Sequence, residues 1–384
     1  MGRRMLPCLA GMPPVRLALA YGSRAVPQTG APPSDVLDLL LVVDDAREWH
    51  DANLRSNAAH YTALPRVLGS AFVKFLAEDV GGTGVFFNTM VPLPERTAKQ
   101  VNARYMKYGV VERPSFVNDL LTWEHCYVAG RLHKPVVTVA SDGEDGVETA
   151  CMEFNRDAAL AAALLQLPRT FRTGDLLRTV VGLSYNGDPR MHVPLVERGT
   201  KVADVASGNE AKLLGLYGSA DARPEIFRRA KLERSPNGDE WTWDATPETE
   251  AALVMCLPQN VLLQLSTGVR ESAMAYGTGG AGTEVAKATR EWSYALSGAA
   301  PHTFPPATRA LFPQAPSDDA VAASAKAARS LAITTGVNRK AGPLVRDAVA
   351  RIVKQSAASA TFANALSSGL RWAPYIWRKV AKRR

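Results

Sequence analysis

The chain has 384 residues, 46% hydrophobic and 21% charged, which excludes wholesale disorder and leaves room for two domains with a sizeable core. Its net charge of +8 is unevenly spread: residues 321–384 hold thirteen Lys/Arg against the single acid Asp347, so the first 320 residues carry a small negative excess. An acidic body with a basic tail predicts that the tail meets an anionic surface, lipid or nucleic acid. The longest apolar runs are Val36–Val43, interrupted by Asp38, and Ala158–Leu167, closed by Pro168. Both fall far short of the ~20 residues of a membrane-spanning helix, so no crossing of a bilayer is expected. Cys8, Cys126, Cys151 and Cys256 have no zinc or disulfide spacing and suggest a reducing compartment.

The first residues contain Arg3, Arg4 and Arg16 and no acid, a composition compatible with an organelle-targeting segment, although Pro interrupts it. Val15–Ala20 reads as a strand running into Tyr21-Gly22-Ser23, and Val36–Val43 as a strand covered on both faces. Further strands are expected at Thr83–Asn88, Gly109–Val111 and Pro135–Ala140, with helices at Ala63–Glu78 and Val117–Ala129. This alternation predicts an α+β domain over residues 1–145, ending in the acidic, Gly-containing stretch Ala140–Thr149. Helices are expected next at Arg156–Leu167, Thr173–Val181 and Val202–Tyr217. After them Pro-Asn-Gly-Asp within Lys231–Asp244 signals a hairpin. Helices followed by a hairpin predict a winged-helix-like module over 146–300. Five prolines between 298 and 319 predict a linker, and 301–384 a basic helical tail.

The chemistry starts at Tyr21-Gly22-Ser23. A Gly-Ser turn after a strand lets backbone N–H groups and a hydroxyl approach a triphosphate closely. Asp38 is a carboxylate inside an apolar strand, and a charge in such a place must be paired, hydrogen-bonded or metal-bound. On an adjacent strand it is suited to Mg²⁺ bridging nucleotide phosphates, the logic of the DNA polymerase beta-type nucleotidyltransferases. The bland alternative is an ordinary Gly-Ser turn. Those enzymes usually carry a second carboxylate two residues on, where this chain has Leu40; Asp44 lies about 20 Å along the strand and cannot share the ion.

Several longer blocks carry a resemblance: AYGS (20–23), residues 37–69 with WH–N–N–HY, GTGVFFN (82–88), MKYGVV (106–111), LLTWEHCYVAGRLHKPV (120–136) and LLRTVVGLSYNGDPRM (176–191). In order and spacing they resemble the mitochondrial CDP-diacylglycerol synthases, the translocator assembly and maintenance family, with Arg24 where that family has a second glycine. The resemblance covers roughly half the chain and implies a polymerase beta-like nucleotidyltransferase domain with a mixed sheet. It also implies the reaction of CTP with phosphatidic acid, Mg²⁺-dependent, to CDP-diacylglycerol and pyrophosphate, feeding phosphatidylglycerol and cardiolipin synthesis. Its location would be the matrix side of the mitochondrial inner membrane, held peripherally. Gly22 and Ser23, beside Tyr21, would hold the CTP phosphates and Asp38 the Mg²⁺; Lys107, Arg131 and Lys134 would meet the triphosphate or the phosphatidate head group. Against these stand a solvated face for each lysine and a structural ion pair for Arg131. His60 is a candidate nucleotide contact or a core histidine, and Asp188 is read as a turn cap before Pro189.

In the tail, Leu344–Lys354 puts Val345, Ala348, Val349, Ile352 and Val353 on one helical face and Arg346, Arg351 and Lys354 on the other. Trp372, Tyr375 and Trp377 lie among basic residues beyond it. Contact with anionic membrane is the expectation, and packing against the body the alternative. The competing functions are an RNA nucleotidyltransferase, disfavoured because no RNA-binding signature is present, and a non-catalytic assembly factor.

Overall fold

The computed structural model describes residues 2–29, 34–143, 146–192, 199–276, 318–337 and 341–368. Its centre is a mixed five-stranded sheet of β1 (Leu17–Tyr21), β2 (Val36–Val43), β3 (Val85–Pro92), β4 (Tyr105–Glu112) and β5 (Val137–Ser141), in the order β3-β4-β2-β1-β5. β2 and β4 run parallel, and the other neighbours are antiparallel. β2 is VLDLLLVV and is buried throughout except at Asp38, as its nearly unbroken apolar run requires. The two sides of the sheet pack differently. Leu40 and Val42 face a large helical core, while Leu37, Leu39 and Leu41 face a second core containing Trp49 and Tyr108.

Helices α1 (Gly22–Ala25), α2 (Ala46–Ser56), α3 (Ala63–Phe75), α4 (Glu95–Val101), α5 (Arg113–Thr122) and α6 (Ala129–Leu132) belong to this first half. Two expected helices are broken. The run expected at Ala63–Glu78 kinks at Gly69, whose φ of 76° is the left-handed region glycine tolerates, and gives way to a wide turn at Leu76–Val80. The helix expected at Val117–Ala129 stops at Thr122 and restarts as α6. Between them the buried Asp119 carboxylate accepts the N–H groups of His125, Tyr127, Val128 and Ala129 at 2.7–3.0 Å. A carboxylate holding four backbone donors competes successfully with helical propagation.

The stretch expected as a domain boundary falls between β5 and α7 (Val147–Leu164), and one apolar core continues across it. Helices α8 (Thr173–Gly182), α9 (Lys201–Gly208), α10 (Glu210–Tyr217), α11 (Pro224–Ala230), α12 (Pro247–Val254) and α13 (Gln259–Tyr276) follow, and α8, α10, α11 and α12 pack on α7. The helix expected at Val202–Tyr217 is thus two helices, divided at Asn209. The expected hairpin is present as β7 (Glu233–Arg234) and β8 (Glu240–Thr242), turned by Gly238 at φ 76°, and β6 (Thr170–Arg172) completes a sheet ordered β6-β8-β7. Fully buried Trp241 anchors it, its indole N–H donating to Thr173 Oγ1 at 2.9 Å.

Two further helices close the molecule, α14 (Asp318–Val337) against α12 and α15 (Ala341–Ser368) against α13. Here the tail departs from expectation. Val345, Val349, Ile352 and Val353 are buried inside the protein, so the apolar face of Leu344–Lys354 is not available to a membrane. Small residues permit the close approach: a Cβ on Gly342 would sit 2.5 Å from the Leu165 carbonyl oxygen, and one on Gly268 3.0 Å from Leu344. The expected linker prolines and Trp372, Tyr375 and Trp377 lie outside the described residues. Among the described residues no helix is long and apolar enough to cross a membrane.

Helix α15 also locks the loop after α8. Gly187 has φ 82°, and a Cβ there would lie 2.2 Å from the Ala350 carbonyl oxygen. Gly187→Ala is expected to cost about 2 kcal/mol or more, through backbone strain plus displacement of α15. A chemical denaturation midpoint equal to the wild type would refute this.

Candidate active site

Register sets a row of candidate side chains across one face of the sheet. Asp38 on β2 stands opposite Tyr21 on β1 and level with Lys107 on β4; Phe87 on β3 faces Gly109, two residues beyond Lys107. Strand side chains alternate between faces, so Tyr21, Asp38, Lys107 and Phe87 share one face. Gly109 is required by its neighbour, since a Cβ there would meet the Phe87 ring at 2.6 Å.

The Gly-Ser turn opens onto this row. Gly22 has φ 76°, and a Cβ on it would lie 3.0 Å from Asp38 Oδ2. The carboxylate is therefore aimed at the backbone of the turn, across a gap that glycine keeps open. Ser23 Oγ accepts the Ser34 N–H at 3.3 Å, and Arg24 donates to the Ser34 carbonyl oxygen. Arg24, at the position of the family's second glycine, thus folds back to fasten the start of β2.

The cations converge on the same face. Lys107 Nζ lies 4.4 Å from the Phe87 ring centroid and the Arg131 guanidinium 5.6 Å from the same ring. Arg131 also stacks over Tyr127 at 3.9 Å and approaches Tyr21 at 5.9 Å. Lys134 Nζ donates to Ser184 Oγ at 2.7 Å and lies 5.0 Å from the Tyr185 ring centroid. Arg190 joins them, bound to the buried Asp188 at 2.6 Å. Asp188 also accepts the Arg190 N–H at 2.9 Å, so it caps the turn as the sequence suggests.

These groups act on one another's protonation. Burial lowers the Lys107 pKa, opposed by the Asp38 carboxylate. Burial and the nearby Arg131 push Lys134 down to about 7. Burial raises the Tyr127 phenol, but Arg131, Lys107 and Arg190 together hold it below its ordinary value. For Arg131, burial disfavours the charge, yet Tyr127 and Tyr21 more than compensate and the net direction is upward. The site is a pocket of concentrated positive charge beside one carboxylate, suited to an anionic substrate.

A buried frame holds the cations in place. Asp119 fixes residues 125–129 through the four N–H groups described above. Asn155 accepts Trp123 Nε1–H at 2.7 Å and donates to the Ala129 carbonyl oxygen at 3.1 Å. The Tyr217 hydroxyl donates to the His133 carbonyl oxygen at 2.9 Å, just before Lys134. From α15, Asn364 Nδ2 donates to the Tyr127 hydroxyl at 3.3 Å.

Of the residues singled out from sequence, Tyr21, Gly22, Asp38, Lys107 and Arg131 are thus brought together, with Ser23 in the turn and Lys134 one helical turn from Arg131. His60 is not. Its Nδ1 is 2.9 Å from the Tyr108 hydroxyl, and Tyr108 points to the opposite face of β4 from Lys107. His60 belongs instead to a network in which Asn53 donates to the Tyr61 and Tyr108 hydroxyls at 2.9 Å and His50 meets Tyr61 at 2.7 Å. Arg190, Tyr127 and Asp119 carry no individual mark in the sequence, although Tyr127 and Arg190 lie inside the blocks 120–136 and 176–191.

Among the described residues no three His, Cys, Asp or Glu side chains converge as a metal cluster. The donor set beside the turn is a single carboxylate facing a glycine cradle, which fits Mg²⁺ held by one or two carboxylates plus substrate phosphates.

Residues 7–382 match the family described as mitochondrial phosphatidate cytidylyltransferase. The chain belongs to this family. It is similar to the human mitochondrial phosphatidate cytidylyltransferase, 36% identical over 256 residues, a match covering 65% of this chain and 52% of the human one. It is 35% identical to the bovine protein of that name over 255 residues, 65% of this chain and 70% of the relative. With the Drosophila melanogaster protein it shares 39% identity over 214 residues, 53% of this chain and 60% of that one. The match to the human relative spans about half of that protein's length.

Lys134 gives a test of the charged pocket. Its folded pKa is about 7 and its ordinary value 10.5, so the unfolded chain binds the extra proton between those limits. Holding this ammonium in the fold therefore costs most below pH 7, and the cost fades as pH rises toward 10.5. Lys134→Met should raise thermal stability relative to wild type more at pH 6 than at pH 9; a difference independent of pH would contradict it.

Proposed function

We propose that the chain is a phosphatidate cytidylyltransferase, converting CTP and phosphatidic acid to CDP-diacylglycerol and pyrophosphate. The observation that carries this reading is the Gly22 cradle facing the Asp38 carboxylate, with Lys107 level with Asp38 in a chain of this family. A polymerase beta-like nucleotidyltransferase domain over 1–145 is supported by the mixed sheet and by the Gly-Ser turn between β1 and β2. A winged-helix-like unit over 146–300 is supported by helices followed by the β6-β8-β7 hairpin sheet. The relatives' names support a mitochondrial location; the matrix face of the inner membrane, peripherally held, is part of the proposal.

In this mechanism the Gly22–Ser23 turn holds the triphosphate, with no Cβ at Gly22 to obstruct it. A phosphate oxygen of phosphatidate attacks the α-phosphorus of CTP, and the bond to the β,γ-pyrophosphate breaks. The attacking phosphate is already largely ionised near neutral pH, so no general base is assigned. Lys107, Arg131, Lys134 and Arg190 stabilise charge on the transferring and departing phosphates. Asp38 is the proposed ligand of Mg²⁺, which when bound would neutralise phosphate charge. The stacking of Arg131 on Tyr127 and Phe87 limits its motion and presents the guanidinium in one orientation.

The test is pyrophosphate release from CTP and phosphatidate with Mg²⁺. Asp38→Asn is expected to lower kcat on the order of 10³-fold, and Arg131→Ala on the order of 10²-fold, with both variants folded by circular dichroism. Wild-type turnover in Asp38→Asn, or release that does not require phosphatidate, would overturn the assignment.

A further inference from the structure

Tyr21 and Tyr127, at the cationic pocket, carry hydroxyl protons that nothing in the protein receives. Tyr21 Oη is buried with no acceptor for its proton among the described residues. Asp38 stands opposite Tyr21 in the β1–β2 register and acts on the phenol through space, yet makes no hydrogen bond with it. Burial raises the Tyr21 pKa, so the phenol keeps its proton at neutral pH. Tyr127 is 8% exposed, and its hydroxyl oxygen accepts the Asn364 amide N–H at 3.3 Å. That bond occupies a lone pair and leaves the O–H proton without an acceptor among the described residues.

Both phenols flank one cation. The Arg131 guanidinium lies 3.9 Å from the Tyr127 ring centroid and 5.9 Å from that of Tyr21, and its charge acts on both hydroxyls. Lys107 and Arg190 also act on Tyr127. All three cations only donate, so none can take a phenol proton into a hydrogen bond. The Tyr127 side chain is nonetheless held firmly. Asp119 accepts its backbone N–H at 3.0 Å, Phe87 meets its ring edge-on with centroids 6.3 Å apart, and Asn364 reaches it from α15. Docking of α15 explains the Asn364 bond, but it gives Tyr21 no use for its hydroxyl. A phenylalanine there would fill the same space without burying an unpaired polar group. The missing acceptor is an anion, and tyrosine hydroxyls are among the groups that serve oxyanion sites.

We propose that the Tyr21 and Tyr127 hydroxyls donate hydrogen bonds to the phosphoryl oxygens that Arg131 meets, so that two neutral donors and one cation form a single phosphate-binding group. This deepens the function proposed above and rests on it. The two phenols add directional bonds without adding charge to a pocket where burial already depresses Lys107 and Lys134. The empty protein carries the unpaired hydroxyls as a loss of stability, which the bound anion removes.

The experiment compares Tyr21→Phe and Tyr127→Phe with the wild type, each as the full chain. Calorimetric titration with inorganic pyrophosphate and Mg²⁺ reads the anion contact, and the ligand-free unfolding midpoint reads the fold. Each variant keeps its ring and is expected to bind pyrophosphate roughly tenfold more weakly. The kcat/KM for pyrophosphate release from CTP and phosphatidate should fall at least as far. Tyr21→Phe should unfold at or above the wild-type midpoint, because the oxygen it removes is buried with its proton unpaired. Wild-type affinity for pyrophosphate in either variant overturns the proposal. So does a lowered ligand-free midpoint in Tyr21→Phe, since that hydroxyl would then be a structural bond. Failure of the wild type to bind pyrophosphate at all overturns it as well. Binding without turnover of CTP and phosphatidate by the wild type would sink the catalytic reading alone, and the pyrophosphate affinities would still judge this one.

Discussion

The buried carboxylate of Asp119 is the constraint on which the site depends. It takes four backbone N–H groups from the turn between α5 and α6, and so stops a helix that would otherwise run on. Stopping it there turns the chain so that Tyr127, Arg131 and Lys134 all reach the face carrying Asp38. Without that capture the N–H groups of His125, Tyr127, Val128 and Ala129 lose the shared acceptor that holds them in the turn bringing Arg131 to Phe87. Asn155 and Tyr217 fasten the same segment from α7 and α10, so helices outside the sheet hold the geometry of the pocket.

Around that frame the pocket gathers more positive charge than burial alone would tolerate. Aromatic rings make this possible: Phe87 lies under both Lys107 and Arg131, and Tyr127 under Arg131, supplying negative ring faces where water is excluded. The depressed pKa values of Lys107 and Lys134 express the remaining cost of the arrangement. An anionic ligand would offset that cost, so any affinity for anions and the instability of the empty pocket have one origin. Asp38 is the counterweight within the row, raising Lys107 while standing across from the Gly-Ser turn.

The parts of this that could be read in advance are those with local causes. β2 was readable as a nearly unbroken apolar run, the Asp38–Gly22 relation from a charge among apolar residues beside a glycine turn, and the β7-β8 hairpin from Pro-Asn-Gly-Asp. What escaped were effects of distant partners. Asp119 looks like any acid in a helix until the N–H groups six to ten residues away close on it. His60 sits in a distinctive block with Tyr61, yet strand alternation sends its partner Tyr108 to the other face. The periodicity of Leu344–Lys354 was correctly amphipathic, but periodicity says only that one face is buried, not in what. Here the answer is protein, because Gly187, Gly268 and Gly342 let α15 come close.

The late return of α15 sets an order of events for the newborn polypeptide. Its bonds to Thr62, Gly81 and Tyr127 join residues 305, 278 and 237 positions apart, so they form only after almost the whole chain has emerged. Ribosome-bound chains can pair β1 with β2 and shape the Gly-Ser turn, yet they lack the strut behind Tyr127. Such long closures are entropically slow. Maturation of the pocket is in this way coupled to synthesis of α15, and fragments ending before it would keep the Gly-Ser turn with nothing to brace the far wall of the pocket.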